Sequence, residues 1–294
     1  LQHWSVEKPL LVPGDEPGYG SIPECPDLFF WNGWYYLLFG IRLHTHYRMA
    51  RKLSGPWLCP AVDVLDNPML AVMKTAPFGN RRRIGAGWVA SRKGNLDNGE
   101  TQWGGNVVFR ELVQFADGSL GTRFPAEMIP AAGELVETAF SPLTPGCSIA
   151  SRSSNNIKSI EIGTPETFEA GMLTGLPLNY HLSCLVHHIS TSPRFGLGIR
   201  GEGNMVRQYE LAFSPYKQQV MLEKEHLDCV VGLDQSFHLE IIVKGDLIDV
   251  CINHNRCIIN RLPELQGDRL FFFCENGTVL FEQIKIRQFV DLSG

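Results

Sequence analysis

Short runs rich in aromatic and β-branched residues recur along this chain, and Gly, Pro, Asn or Asp cuts off each one before any long helix is evident. "WYYLLFG", "RRIGAGWVAS", "GGNVVFRELVQF", "SCLVHHIS", "YELAFS" and "DRLFFFCENG" are examples. Many short strands with regular turn signals specify an all-β protein: a sandwich, a barrel or a propeller. "FHLEIIVKGDLIDVCIN" reads as a hairpin, two strand-like runs joined by a tight turn at Gly245 and Asp246. Apolar and polar residues alternate along it, so one face is expected to be buried. Ile241 and Val243 should share a face on one strand, with Ile248 and Val250 on the return strand.

Tryptophan divides the chain. Trp4, Trp31, Trp34, Trp57, Trp88 and Trp103 all precede "MIPAAGELVE" (residues 128–137), and none follows. Two β domains are therefore expected, residues 1–130 and 131–294, the first holding any polar-aromatic ligand site. The 294 residues are 44% hydrophobic and 19% charged, a balance that can bury a sizeable core. A net charge of -5, with no basic run longer than "NRRR", argues against a nucleic-acid partner. No apolar stretch approaches the ~20 residues that cross a bilayer as a helix. The eight cysteines include no CxxC pair, so no metal site is expected. They read as buried free thiols, which leans towards a reducing, cytoplasmic compartment. The chain opens on Leu1 rather than Met, and a preceding segment of the same protein is expected.

The chemistry-bearing candidates lie in the Trp-rich part. Glu24 stands beside Cys25 and Pro26 at the mouth of an aromatic strand-like run. It reads either as a solvated loop acid or as a catalytic acid at the end of a buried strand, where apolar neighbours would raise its pKa. Asp27 would cap or orient the strand start. Asp66 reads as a turn residue beside Pro68 or as a ligand to a substrate hydroxyl. Trp88 and Trp103 read as core or as platforms for sugar rings. His44 and His46 alternate on a strand, as a polar face or as substrate contacts on one site. Arg81, Arg82 and Arg83 read as a solvated turn, Arg110 and Glu111 as structural pairs, and Asp246 and Asp249 as turn and edge residues without chemistry.

Three stretches in order, "ECPDLFFWNGWYYLLFG", residues 64–91 and residues 102–128, resemble the latter half of glycoside hydrolase family 32, the β-fructosidases. That family carries an E-C-P-D-L-F motif whose Glu is the general acid/base, matched here from Glu24 to Phe29. It continues with D-F-Y-A, R-R-I-x-x-G-W, R-E-L and D-G-x-L segments. These resemble residues 66–71, residues 82–88, Arg110 to Leu112 and Asp117 to Leu120. Residues 237–262 resemble a hairpin of the family's C-terminal sandwich. The resemblance implies part of a five-bladed β-propeller over residues 1–130 and a β-sandwich over 131–294. It further implies retaining hydrolysis of O-glycosidic bonds in β-fructosides, a carbohydrate substrate and no cofactor. The family's N-D-P nucleophile motif and its R-D-P motif do not occur here, so the nucleophile is expected outside this chain. "HTHYRMARKLSGPW" is more similar to the arabinanases and xylosidases of family 43, which keeps an arabinan- or xylan-type glycosidase as an alternative. The missing motifs keep a second alternative, a non-catalytic carbohydrate-binding protein.

Overall fold

The computed structural model describes residues 3–6, 8, 22–79, 81–129, 133–153 and 156–289. Among these the regular structure is β, with three short 3-10 turns and no α-helix. Strands β1 (Glu24–Trp31), β2 (Trp34–Ile41) and β3 (His44–Ala50) form an antiparallel sheet. Its two-residue turns, Asn32 with Gly33 and Arg42 with Leu43, all take positive φ, the twist that matches right-handed strands. Strands β4 (Ala71–Phe78), β5 (Arg82–Arg92), β6 (Thr101–Gln114) and β7 (Leu120–Arg123) form a second antiparallel sheet.

These two sheets stack face to face as propeller blades. Phe29, Tyr36, Leu38 and Tyr47 of the first share one buried core with Met73, Val89, Val108 and Leu112 of the second. The Tyr36 hydroxyl donates to the Gly118 carbonyl at 2.7 Å, and the Leu120 amide donates to the Tyr47 hydroxyl at 2.8 Å. Strand alternation then turns the other faces outward. Leu28 and Phe30 stand exposed on one side of the stack, and Phe78, Val107 and Phe109 on the other.

The remaining strands are β8 (Ala139–Pro142), β9 (Cys147–Ser153), β10 (Asn156–Thr174), β11 (Tyr180–Ser190), β12 (Arg194–Glu202) and β13 (Arg207–Ser214). They continue with β14 (Gln219–Leu222), β15 (Glu225–Leu227), β16 (Phe237–Lys244), β17 (Leu247–Ile252), β18 (Arg256–Arg261) and β19 (Arg269–Gln288). The sheet order is β15-β14-β13-β12-β19-β11-β16-β17-β18, with β10 also along β19. The first half of β19 pairs with β12 and its second half with β11. The change falls at Asn276, in left-handed conformation, and Gly277, where a Cβ would lie 2.6 Å from Ser192 and the Thr191 carbonyl. One strand thus passes from one layer of the sandwich to the other. The division expected near residue 130 falls on residues 130–132, outside the described residues.

Ile241, Val243, Ile248 and Val250 all sit in the sandwich core, which also holds Phe195, Phe213, Phe237, Phe272 and Phe281. The expectation of a single buried face on this hairpin is corrected, because Ile242 and Cys251, on the opposite face, are buried against Phe124 and Cys257. The β16–β17–β18 layer is covered by the sandwich core on one side and by the blade pair on the other. Ile241→Ala is expected to cost ~2–5 kcal/mol of unfolding free energy without altering ligand preference, measured by denaturant titration. A loss within experimental error would contradict close packing at this position. The eight cysteines form no disulfide and divide between Cys147, Cys184, Cys251, Cys257 and Cys274, which are buried, and Cys25, Cys59 and Cys229, which are exposed.

Candidate active site

Glu24 pairs with Gly40 at the head of β1, and a register shift separates that pair from Asp27 and Leu38. Cys25, at φ 52°, lies in this bulge. A bulge re-aims side chains at a strand end. Neighbouring β4 clamps it in place. The Lys74 ammonium donates to the Cys25 carbonyl and, at 2.9 Å, to the Pro26 carbonyl. The Asp27 carboxylate accepts from the Thr75 amide at 2.8 Å and the Thr75 hydroxyl at 2.6 Å. Arg83 donates from Nε to the same hydroxyl at 2.7 Å and lays its guanidinium over Phe29, 3.5 Å from the ring centre. Asp27 therefore orients the strand start. Glu24 itself is exposed, as are Cys25 and Pro26, which do not enclose it.

Trp88 and Trp103 come together, ring centres 5.4 Å apart and planes inclined at 30°. Trp103 is 89% exposed and Trp88 half-buried, so the pair offers indole surface to solvent instead of filling a core. Trp88 lies opposite Ala71, and Ala86 opposite Lys74. The Trp88 backbone is thus about two residues, ~7 Å, along β5 from the position facing Lys74, whose ammonium holds the bulge after Glu24.

His44 and His46 share a face, rings 6.0 Å apart. His46 Nδ1 lies 3.1 Å from Asp63, which also accepts from Arg48 at 2.7 Å. His44 borders a cleft of about 170 Å³ with Asp63, His226, Asp228 and Arg256. Burial holds its pKa below the usual histidine value, helped by neighbouring His46 and His226. The Glu24–Gly40–Thr45 row belongs to the other face of the sheet. The structure therefore groups the histidines with each other and with the sandwich boundary, not with Glu24.

Asp66 is 1% exposed and its carboxylate is spent inside the molecule. Arg110 Nε donates to one oxygen at 2.6 Å and the Thr122 hydroxyl to the other at 2.5 Å. Arg110 binds Asp249 with its two terminal nitrogens, at 2.9 and 2.7 Å. The reading of Asp249 as an edge residue is corrected: it is 3% exposed and pins the sandwich to the blades. Burial outweighs the Arg110 charge there and pushes the Asp249 carboxyl up to about 6. The solvated arginine turn is corrected as well. Arg83 is buried at 6%, and Arg82 reaches Glu111 and Glu127, both at 2.8 Å. Arg110 and Glu111 do have structural partners, but different ones.

Glu111 gives a pH signature. Its burial favours the neutral acid, yet the hydrogen bonds from Arg82 and Arg123 more than offset this and hold its pKa below the usual carboxylate range. A depressed folded pKa contributes stability that is complete above about 4.5 and lost as pH falls through the folded value. Glu111→Gln should therefore lose stability at pH 7, and its deficit should shrink as pH falls below about 4.5 in urea titrations. An unchanged deficit at pH 3.5 and pH 7 would remove the ion pairs as its cause.

No family model matches the chain, and no curated protein sequence does. Solved structures do. Fructan 1-exohydrolase IIa from Cichorium intybus matches with TM-score 0.63 and 14% identity, over 90% of this chain and 61% of that one. Exo-inulinase from Aspergillus awamori matches with TM-score 0.60 and 12% identity, over 92% of this chain and 57% of that one. A glycoside hydrolase family 32 structure from Bifidobacterium adolescentis matches with TM-score 0.58 and 16% identity, over 90% and 41%. Blades joined to a β-sandwich define a propeller-plus-sandwich architecture. The fold is the one seen in glycoside hydrolase family 32. The chain spans about three fifths or less of the length of these structures.

Proposed function

We propose that this chain is the acid/base-bearing portion of a retaining glycoside hydrolase acting on β-fructosides, with Glu24 protonating the leaving oxygen. The observation that carries the reading is Glu24 at the head of a bulged strand whose next residues are clamped by Lys74 and Thr75. A positioned but solvent-reachable carboxyl suits an acid that must meet a substrate. The exposed Trp88–Trp103 pair, on β5 and β6 of the sheet that β4 begins, supports a sugar platform, since indole faces stack on apolar sugar faces. Retaining chemistry needs a second carboxyl ~5 Å from the first to attack the sugar. Asp66, the best internal stand-in, is committed to Arg110 and Thr122. The nucleophile then comes from a further segment of the same protein, and the open apolar faces of the blade pair are suited to pack it.

Residues 1–294 alone are accordingly expected not to hydrolyse sucrose, inulin, levan or aryl arabinosides. Activity should appear when a preceding segment is fused or added separately. Robust sugar release by this chain alone, abolished by Glu24→Gln, would place the nucleophile inside these residues. The solvent-facing tryptophan pair favours a second reading, non-catalytic carbohydrate binding. Fructan binding without hydrolysis, persisting after the preceding segment is supplied, would establish that one instead. Release from arabinosides but not fructans would favour the arabinan-type alternative.

A further inference from the structure

A second constellation lies on the blade-facing side of the sandwich, apart from Glu24. On β16 and β17, Glu240 is the direct partner of Cys251, so their side chains leave the same face. His254 occupies the tight turn after β17, where Asn253 and His254 both take left-handed conformations. The carboxylate, thiol and imidazole ligand atoms of these three residues all lie within 4.8 Å of one another. His254 Nδ1 is 3.4 Å from one Glu240 oxygen. On the neighbouring strand, His181 pairs with Ile242, which puts its ring on that same face. His181 is 6% exposed, and its Nε2 has no hydrogen-bond partner. That nitrogen stands 3.8 Å from the other Glu240 oxygen, beyond hydrogen-bond reach.

We propose that Glu240, Cys251, His254 and His181 form a binding site for a thiophilic divalent cation of the zinc type. Imidazole, thiolate and carboxylate together are the donor set such an ion selects. Bonds of about 2.0–2.3 Å in a tetrahedron place ligand atoms ~3.3–3.8 Å apart. The His254 distance to Glu240 already falls in that range, and the Glu240, Cys251 and His254 atoms, up to 4.8 Å apart, must close by about 1 Å, while His181, beside the other Glu240 oxygen, must turn towards them to complete the set. The exposed His254 turn can supply this movement. Charge also balances, because one carboxylate and one thiolate neutralise a dication at a largely buried place. Binding transfers the Cys251 thiol proton to solvent as the sulfur–metal bond forms, with no change of oxidation state. His238, its ring tilted at 35° and 5.2 Å from the His254 ring, packs against the turn. The Asn255 carbonyl accepts from the Thr122 amide of β7 at 2.9 Å, so a bound ion would fasten the turn where sandwich and blades meet.

The test uses the purified, reduced chain with cobalt(II) and zinc(II) as probes. One cobalt per chain is expected, with a thiolate-to-metal charge-transfer band and tetrahedral visible bands, displaced by one equivalent of zinc. Zinc should also raise the melting temperature. Cys251→Ser should abolish the charge-transfer band, and His254→Ala, a change at an exposed turn, should weaken zinc binding 10–100-fold. Cys229→Ser, at an exposed cysteine elsewhere, should leave both unchanged. If Cys251→Ser does not fold, His254→Ala and Cys229→Ser still decide the matter. Binding without a charge-transfer band, a band that survives His254→Ala at full affinity, or one lost with Cys229→Ser would overturn the assignment.

Discussion

Glu24→Gln, made in a protein that carries both carboxyls, should lower turnover of natural glycosides by roughly 10²–10⁴-fold, the usual worth of a positioned general acid. The amide keeps the size and the backbone bulge but cannot transfer a proton to the leaving oxygen. Aryl glycosides should suffer less, because a good leaving group departs with little protonation. The fold should not change, since Glu24 is exposed and the clamp runs through the Cys25 and Pro26 carbonyls and the Asp27 carboxylate. Steady-state kinetics on sucrose and on an aryl fructoside, with melting curves as control, separate the outcomes. Near-full activity on the natural substrate, or equal losses on both substrates, would remove Glu24 from the acid role.

Parts of this arrangement were legible because they are local. The hairpin at Gly245 and Asp246 announces itself by period-2 alternation around a turn dipeptide, and strand alternation alone put His44 and His46 on one face. The covered outer face of β16 had a trace in the sequence, the unbroken "IIV" at Ile241 to Val243, since a strand buried on both faces reads as a continuous apolar run. The partners of Asp66 and Asp249 are not legible in the sequence, for a physical reason. The two acids meet at Arg110 from 44 and 139 residues away, and only the docking of the sandwich on the blades joins them. Of the Glu240, Cys251, His254 and His181 cluster only Cys251 and His254, three residues apart in "CINH", are close in sequence, and pairing across β11, β16 and β17 brings the other two to them. Arg83 left the expected solvated turn because Phe29 and Thr75 give its stem and guanidinium a packed place.

The Arg110 junction should show the largest stability effect in the molecule. Arg110 is fully buried between Asp66 and Asp249, with three hydrogen bonds to the two carboxylates. Arg110→Met keeps much of the volume but leaves two acids facing each other away from water. Breaking a buried pair in this way costs about 3–5 kcal/mol. Replacing all three groups, with Asp66→Asn and Asp249→Asn added, should recover much of that loss, because the cost lies in the unpaired charges and not in the absent bridge. The pH dependence gives the sign. Asp249 already has a folded pKa of about 6 against an ordinary 3.8, so the folded state holds its proton more tightly than the unfolded chain. Without the arginine its carboxyl moves higher still. The deficit of Arg110→Met should therefore be smaller at pH 5 than at pH 8, growing as pH rises through about 6 and beyond. Urea titrations of wild type, single and triple variants at the two pH values read this directly. A pH-independent deficit, or a triple variant worse than the single one, would mean that Arg110 holds the blades to the sandwich by shape and that its charge contributes little.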